Sequence, residues 1–187
     1  MQRNGKSVGA FKFQPAFRLA FQKKNIHTAS MILLLLIGML PTEANVAKAD
    51  QVIVVKSQRS LTLLSQGTIL RTYKVALGSA PVGAKEQEGD HKTPEGSYVL
   101  DRRNAKSRFY KSIHVSYPNS NDRERAAQRG ASPGGDIMIH GLPNRFGWIG
   151  AMHRVHDWTD GCVAVTDTEM DEIWDLVADG TPIEIKP

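Results

Sequence analysis

The chain has one cysteine, Cys162, within Trp158-Thr159-Asp160-Gly161-Cys162-Val163-Ala164-Val165, downstream of Ile139-His140-Gly141. A thiol becomes a useful nucleophile when its pKa is depressed or a base stands beside it, and its tetrahedral intermediate needs donors for the oxyanion. His140 is the base type such chemistry uses. Gly141 and Gly161 have no side chains to block a substrate backbone, and they allow sharp turns that aim amides at a reacting carbonyl. Spacing alone leaves a buried structural cysteine as an equal reading, because such pairs meet in the fold and not in the chain. A zinc set of His153, His156 and Cys162, with Asp157, is a further reading. It is weakened by its single thiolate and by the lack of a His-Glu-x-x-His motif.

Elements that position these residues read mostly as strands. Val52–Val55, Leu61–Leu64 and Thr68–Ala76 alternate or are β-branched, and predict an antiparallel meander. Residues 78–96 hold Pro81, Gly83, Gly89 and Pro94 and predict a long loop. Strands are expected again at Gly96–Leu100 and Ser112–Ser116, and a short exposed helix within Asp122–Gln128. Asp136–His140 and Cys162–Val165 are apolar enough for buried central strands, each with a chemical residue at one end. The firmest helix follows. Thr166-Asp167-Thr168-Glu169 has capping-box spacing, and Met170, Ile173, Trp174 and Val177 form one apolar stripe, predicting an amphipathic helix near 167–178. Trp174 on that stripe is expected in the core. Pro182–Ile185 closes the chain as a strand. The fold class is therefore mainly β, sandwich- or barrel-like, with one C-terminal helix.

The sequence carries 24 Lys and Arg against 19 Asp and Glu. Residues 1–30 hold six of those basic residues and no acid, so the rest has 18 against 19, near neutral. Nucleic acid is excluded as an expected partner, since the basic excess belongs to the leader. That leader continues into the apolar run Met31–Leu40 and a polar stretch ending Ala47-Lys48-Ala49. Residues 1–49 thus read as a basic leader plus signal peptide, cleaved between Ala49 and Asp50 after engaging the membrane. An interfacial anchor or transit peptide is the competing reading. Residues 50–187 form one domain of ordinary length. Exported to an oxidising compartment with one cysteine, it has no intramolecular disulfide, and an unpaired thiol there is either buried and inert or kept for chemistry.

The His-Gly segment, the loop after it, and Thr159-Asp160-Gly161-Cys162-Val163 before an apolar strand resemble the L,D-transpeptidase catalytic domain of the YkuD family, whose pattern is His-Gly and then Ser/Thr-x-Gly-Cys. The Val52–Gly78 meander, the Lys92-Thr93-Pro94-Glu95-Gly96 turn and Gly180-Thr181-Pro182-Ile183 are similar as well. The resemblance implies a periplasmic or wall-facing enzyme acting on peptidoglycan stem peptides, without metal or cofactor. Cys162 would form a thioester with release of D-alanine, and His140 would serve as base and acid. The Gly161 and Cys162 amides would hold the oxyanion, with Thr159 shaping the turn. The acyl acceptor would be a second stem, a wall-attached protein or water; a non-catalytic wall-binding module is the reading outside enzymes.

Two departures stand out. Many family members carry Arg or Asn two residues after the cysteine, where this chain has Ala164, so either Arg145 or Arg154 binds the substrate carboxylate instead or that contact is absent. The loop between His140 and Thr159 is long and carries Phe146, Trp148, His153, His156 and Trp158, which either cover a substrate or pack the loop down. Trp148, Trp158 and His156 are the substrate-contact candidates, and His156 is the reserve base. Arg102, Arg103, Lys106, Arg108 and Lys111 read as a solvated basic face able to attract acidic stem peptides.

Overall fold

Alternating apolar residues fix which side of each strand faces inward. The structure, a computed structural model, describes residues 47–187; most of the proposed leader lies outside them. Its strands are β1 (Gln51–Val55), β2 (Ser60–Ser65), β3 (Thr68–Lys74), β4 (Gly96–Ser107), β5 (Tyr110–Val115), β6 (Met138–His140), β7 (Val163–Ala164) and β8 (Thr181–Lys186). The helices are α1 (Ser120–Gln128) and α2 (Asp167–Leu176). One sheet runs β3-β2-β1-β8-β4-β5-β6-β7, and an antiparallel bridge between Ala76 and Ala164 joins its two ends. The sheet is therefore curled on itself, the mainly β class expected.

Val52, Val54, Leu61, Leu63, Ile183 and Ile185 fill the inside of the curl from β1, β2 and β8, and Met170 and Ile173 of α2 join the same core. Thr166 caps α2 through a complete capping box with Glu169. The helix ends at Leu176, two residues short of the expected 178, because Val177 turns to extended geometry as its cap. Trp174 is half-buried against the core, with the Arg103 guanidinium 4.7 Å from its ring centroid. The other helix, α1, has its own capping box, Asn119 with Asp122.

Two strand expectations need correction. β4 runs on to Ser107, because residues 101–107 pair with β5 through their backbones while their polar side chains give no apolar pattern. β6 and β7 are buried but not central: they end the strand order, and among the described residues the Ala76 bridge alone pairs with the outer side of β7. Both are also shorter than expected, so Cys162 lies in the turn leading into β7. Ala49, the residue before the expected cleavage point, packs against the domain. It is buried in the core cluster, and its amide donates to Leu176 O at 2.8 Å.

Candidate active site

Parallel pairing of β6 with β7 sets Ile139 against Val163 and His140 against Ala164. Ile139 and Val163 point into the core. By alternation Met138 and His140 point the other way, as does Cys162 one residue before Val163. His140 and Cys162 therefore share a face, offset by two residues, and both line a cavity of about 670 Å³.

The turn that presents Cys162 is built by Thr159. Its buried hydroxyl donates to Cys162 O at 2.8 Å and accepts the Gly161 amide at 3.2 Å. Gly161 has φ +121°, and a Cβ there would stand 2.6 Å from Lys92 O. Only glycine fits a backbone so placed. Lys92 belongs to the 78–96 loop, which is pinned from inside. The buried Lys56 ammonium donates to Gly83 O, Thr93 O and Glu95 Oε1 at 2.6, 3.0 and 2.7 Å. Asp90 accepts from Lys85 Nζ at 2.7 Å and from the Glu86, Gln87 and Lys92 amides.

His140 is buried, with Phe109 at a ring-centroid distance of 4.6 Å and Trp158 edge-on at 5.8 Å. Its Nδ1 lies 2.7 Å from Gly141 O. A carbonyl only accepts, so Nδ1 carries the proton and Nε2 keeps its lone pair. Burial pulls the imidazole pKa below its ordinary 6.5, opposed by that bond to Gly141. The Cys162 thiol is pushed up from 9.0 to about 11, chiefly by burial and then by Asp160 and Asp136, against a hydrogen bond from the Met138 amide. Both shifts favour the neutral thiol and the neutral imidazole over a preformed ion pair, and the thiol donates to Asp136 O at 3.6 Å.

Of the expected donors, the Gly161 amide is engaged by Thr159 and the Gly141 amide by Lys111 O at 3.2 Å. The Cys162 amide has no hydrogen-bond acceptor among the described residues. Gly141 contributes its carbonyl to His140 instead. Trp158 lines the cavity as expected. Trp148 does not; it is 81% exposed on the outer side of two short 3₁₀ turns spanning Gly147–Val155. His156 is exposed and away from the cavity. Arg154 is tied to Glu169, and Arg145 is exposed outside the cavity. Neither arginine reaches the site, because the loop carrying them folds toward α2. His153 accepts from Trp158 Nε1 at 3.4 Å, so the aromatic loop packs down through Trp158. Among the described residues no group of three His, Cys, Asp or Glu side chains is placed to hold a metal.

Of the basic face read from the sequence, Lys106 and Arg108 form the opposite wall, a placement the sequence did not indicate. Lys106 and Arg108, at the far end of the β4–β5 hairpin, line the cavity, and neither side chain has an acidic partner among the described residues. Ser112 also lines it, directly across from His140 in the β5–β6 register, with a buried hydroxyl lacking any partner there. Only the unexpected length of β4 brings this hairpin over the site, a feature that apolar periodicity does not mark.

A histidine on β6 and a cysteine in the turn before the adjacent β7 of a curled β-sheet match the architecture the motifs suggested. Residues 49–185 match the L,D-transpeptidase catalytic domain model, YkuD, and the chain belongs to that family. It is similar to YafK of Escherichia coli K12, whose own assignment as an L,D-transpeptidase is provisional, at 33% identity over 131 residues, 66% of this chain and 45% of YafK. Among solved structures it resembles Pgp2, the helical cell shape determining protein of Campylobacter jejuni, with a TM-score of 0.57 and 25% identity, covering 76% of this chain and 49% of Pgp2. Bd1075 of Bdellovibrio bacteriovorus aligns with a TM-score of 0.51 and 25% identity, over 76% of this chain and 49% of Bd1075. The chain thus spans about half the length of these relatives.

Proposed function

We propose that the chain is an exported L,D-transpeptidase that transfers a peptidoglycan stem peptide through a thioester on Cys162. The observation that carries this is the placement of Cys162 and His140 on one face of the β6–β7 pair, lining one cavity. Cys162 Sγ attacks the carbonyl between the diamino acid and the terminal D-alanine while His140 Nε2 takes the thiol proton. The oxyanion rests on the Cys162 amide. Collapse breaks the amide bond, the imidazolium returns its proton to the leaving D-alanine amine, and the thioester remains. An acceptor amine then attacks the thioester, gives a proton to His140 and expels the thiol. Asp136 and Asp160, which line the cavity and act on the thiol, favour an ammonium-bearing acceptor over water. Lys106 and Arg108 suit the acidic stem on the other side.

Mature protein incubated with disaccharide-tetrapeptide tests the reading by mass spectrometry. A dimer lacking one D-alanine, with a thioester on Cys162, is the expected product. A tripeptide instead would make water the acceptor. Absence of any acyl-enzyme across peptidoglycan substrates would overturn the reading, as would full turnover by Cys162→Ser.

A further inference from the structure

We propose that Asp167 is a positioning residue for His140, acting through the single peptide unit that lies between them. That unit joins Gly141 to Leu142; it is planar, with its C=O and N–H on opposite sides. The Leu142 N–H donates to Asp167 Oδ1 at 2.8 Å, while the Gly141 carbonyl accepts from His140 Nδ1 at 2.7 Å. The plane cannot rotate without breaking both bonds.

Sterics point the same way. A Cβ on Gly141 would stand 2.7 Å from Asp167 Oδ1 and 3.0 Å from Tyr110 Cβ. One on Gly147 would collide with Asp167 Oδ2. Both carboxylate oxygens are thus pressed against the backbone of the loop that follows His140. Asp167 is the first residue of α2, where the helix N-terminus favours a negative charge.

The consequence for the imidazole is electrostatic as well as geometric. A charged acceptor strengthens the Leu142 N–H bond and polarises the amide, leaving more negative charge on Gly141 O. That oxygen holds the Nδ1 proton in place, keeps Nε2 as the free base and stabilises the imidazolium formed when Cys162 loses its proton. In serine-protease triads a carboxylate does this by direct contact with Nδ1–H. Here one peptide unit stands between.

The catalytic part of this inference rests on the proposed function, whereas the histidine chemistry can be tested without turnover. Asp167→Asn keeps the shape and an acceptor oxygen but loses the charge; Asp167→Ala loses both. Ring nitrogen shifts of His140 are followed against pH in the ¹⁵N-labelled protein. Other groups near the pair stay as they are in each variant: Cys162 across the cavity, His153 behind Trp158, Tyr110 and Lys111 on Asp171, and Arg154 on Glu169. Wild type is expected to hold the Nδ1–H tautomer. In Asp167→Asn the tautomer persists with a lower titration midpoint, and Asp167→Ala mixes both tautomers. Cys162 acylation falls about 5-fold in Asp167→Asn at unchanged KM, the difference between a charged and a neutral hydrogen-bond partner. Identical His140 tautomer and midpoint in wild type and Asp167→Asn would overturn the proposal, whatever the fate of the alanine variant. Shifted histidine behaviour in a protein that never acylates would leave the positioning intact and remove the proposed function.

Discussion

A thiol held at about 11 beside a neutral imidazole predicts two different pH profiles from one sulfur. Iodoacetamide reacts only with thiolate. Relative to the ordinary value of 9.0, the shift leaves roughly 100-fold less thiolate at pH 7, about one molecule in ten thousand. Alkylation of Cys162, followed by intact mass, should therefore climb about tenfold per pH unit from pH 7 to 10 without levelling. Acyl transfer should behave otherwise. There His140 takes the proton during attack, so kcat/KM needs only the neutral imidazole. With its pKa lowered below 6.5, the rate should already be flat at pH 7 and fall only in acid. Asp136→Asn should raise alkylation at pH 7, since this carboxylate helps hold the thiol up, and Asn tolerates the positive φ of 55° at this position. As the chain has no second cysteine, the mass readout is unambiguous. An alkylation plateau at or below pH 7 would mean a preformed thiolate-imidazolium pair and would refute the argument.

Gly161→Ala should destabilise the domain by about 2–3 kcal/mol in urea melts, from strain at φ +121° and overlap with Lys92 O, and should abolish acylation; a stability loss near zero would show the turn can relax. Burial pushes the Asp90 carboxyl up, but Lys85 and three amides outweigh it and lower the pKa from 3.8 to about 2. A depressed carboxylate gives stability that is complete above 3.8 and lost as pH falls through about 2, so Asp90→Asn should cost about 2 kcal/mol at pH 7 with the gap closing below pH 3. A chain starting at Asp50 should melt about 3 °C below one starting at Ala47, because it lacks the Ala49 amide bond to Leu176 and the buried Ala49 side chain; equal melting would show that these contacts add nothing to the domain. Lys106→Ala with Arg108→Ala should raise KM for the stem peptide several-fold at constant kcat, and an unchanged KM would remove them from substrate binding.

What could be read from residues alone follows from where the information lies. Val52, Val54, Leu61 and Leu63 report their strands because each buries alternate side chains, and α2 reports itself through a cap and a stripe. The turn before Cys162 was legible because Thr159 and Gly161 are residue types that turns require. The outer half of β4 was not, since its pairing is made by backbone groups that every residue carries. Arg145 and Arg154 were assigned to the substrate by charge and nearness in the chain. The 3₁₀ turns after Phe146 lead their loop away from the cavity, a matter of backbone path that composition does not encode. For the same reason Asp167, 27 residues beyond His140, gave no sign of its contact with the loop after that histidine.

The alanine two residues after Cys162 follows from the way the sheet closes. Ala164 exchanges both backbone bonds with Ala76, at 3.0 and 2.8 Å, and so joins the two ends of the strand order. It is fully buried and stands directly opposite His140 in the parallel register. Side chains opposed in this way project from the same face of adjacent strands, about 4.8 Å apart. A long polar side chain at 164 would contend with the imidazole for that space, while Phe109 and Trp158 already occupy the other sides of the ring. A methyl group there lets the imidazole sit fully under cover, which is what lowers its pKa and leaves it a free base at neutral pH. Lys106 and Arg108 stand across the cavity on the extended hairpin, without acidic partners among the described residues. Ala164 and the length of β4 thus belong to one arrangement, with a small side chain opposite His140 and basic groups on the cavity wall that faces Cys162.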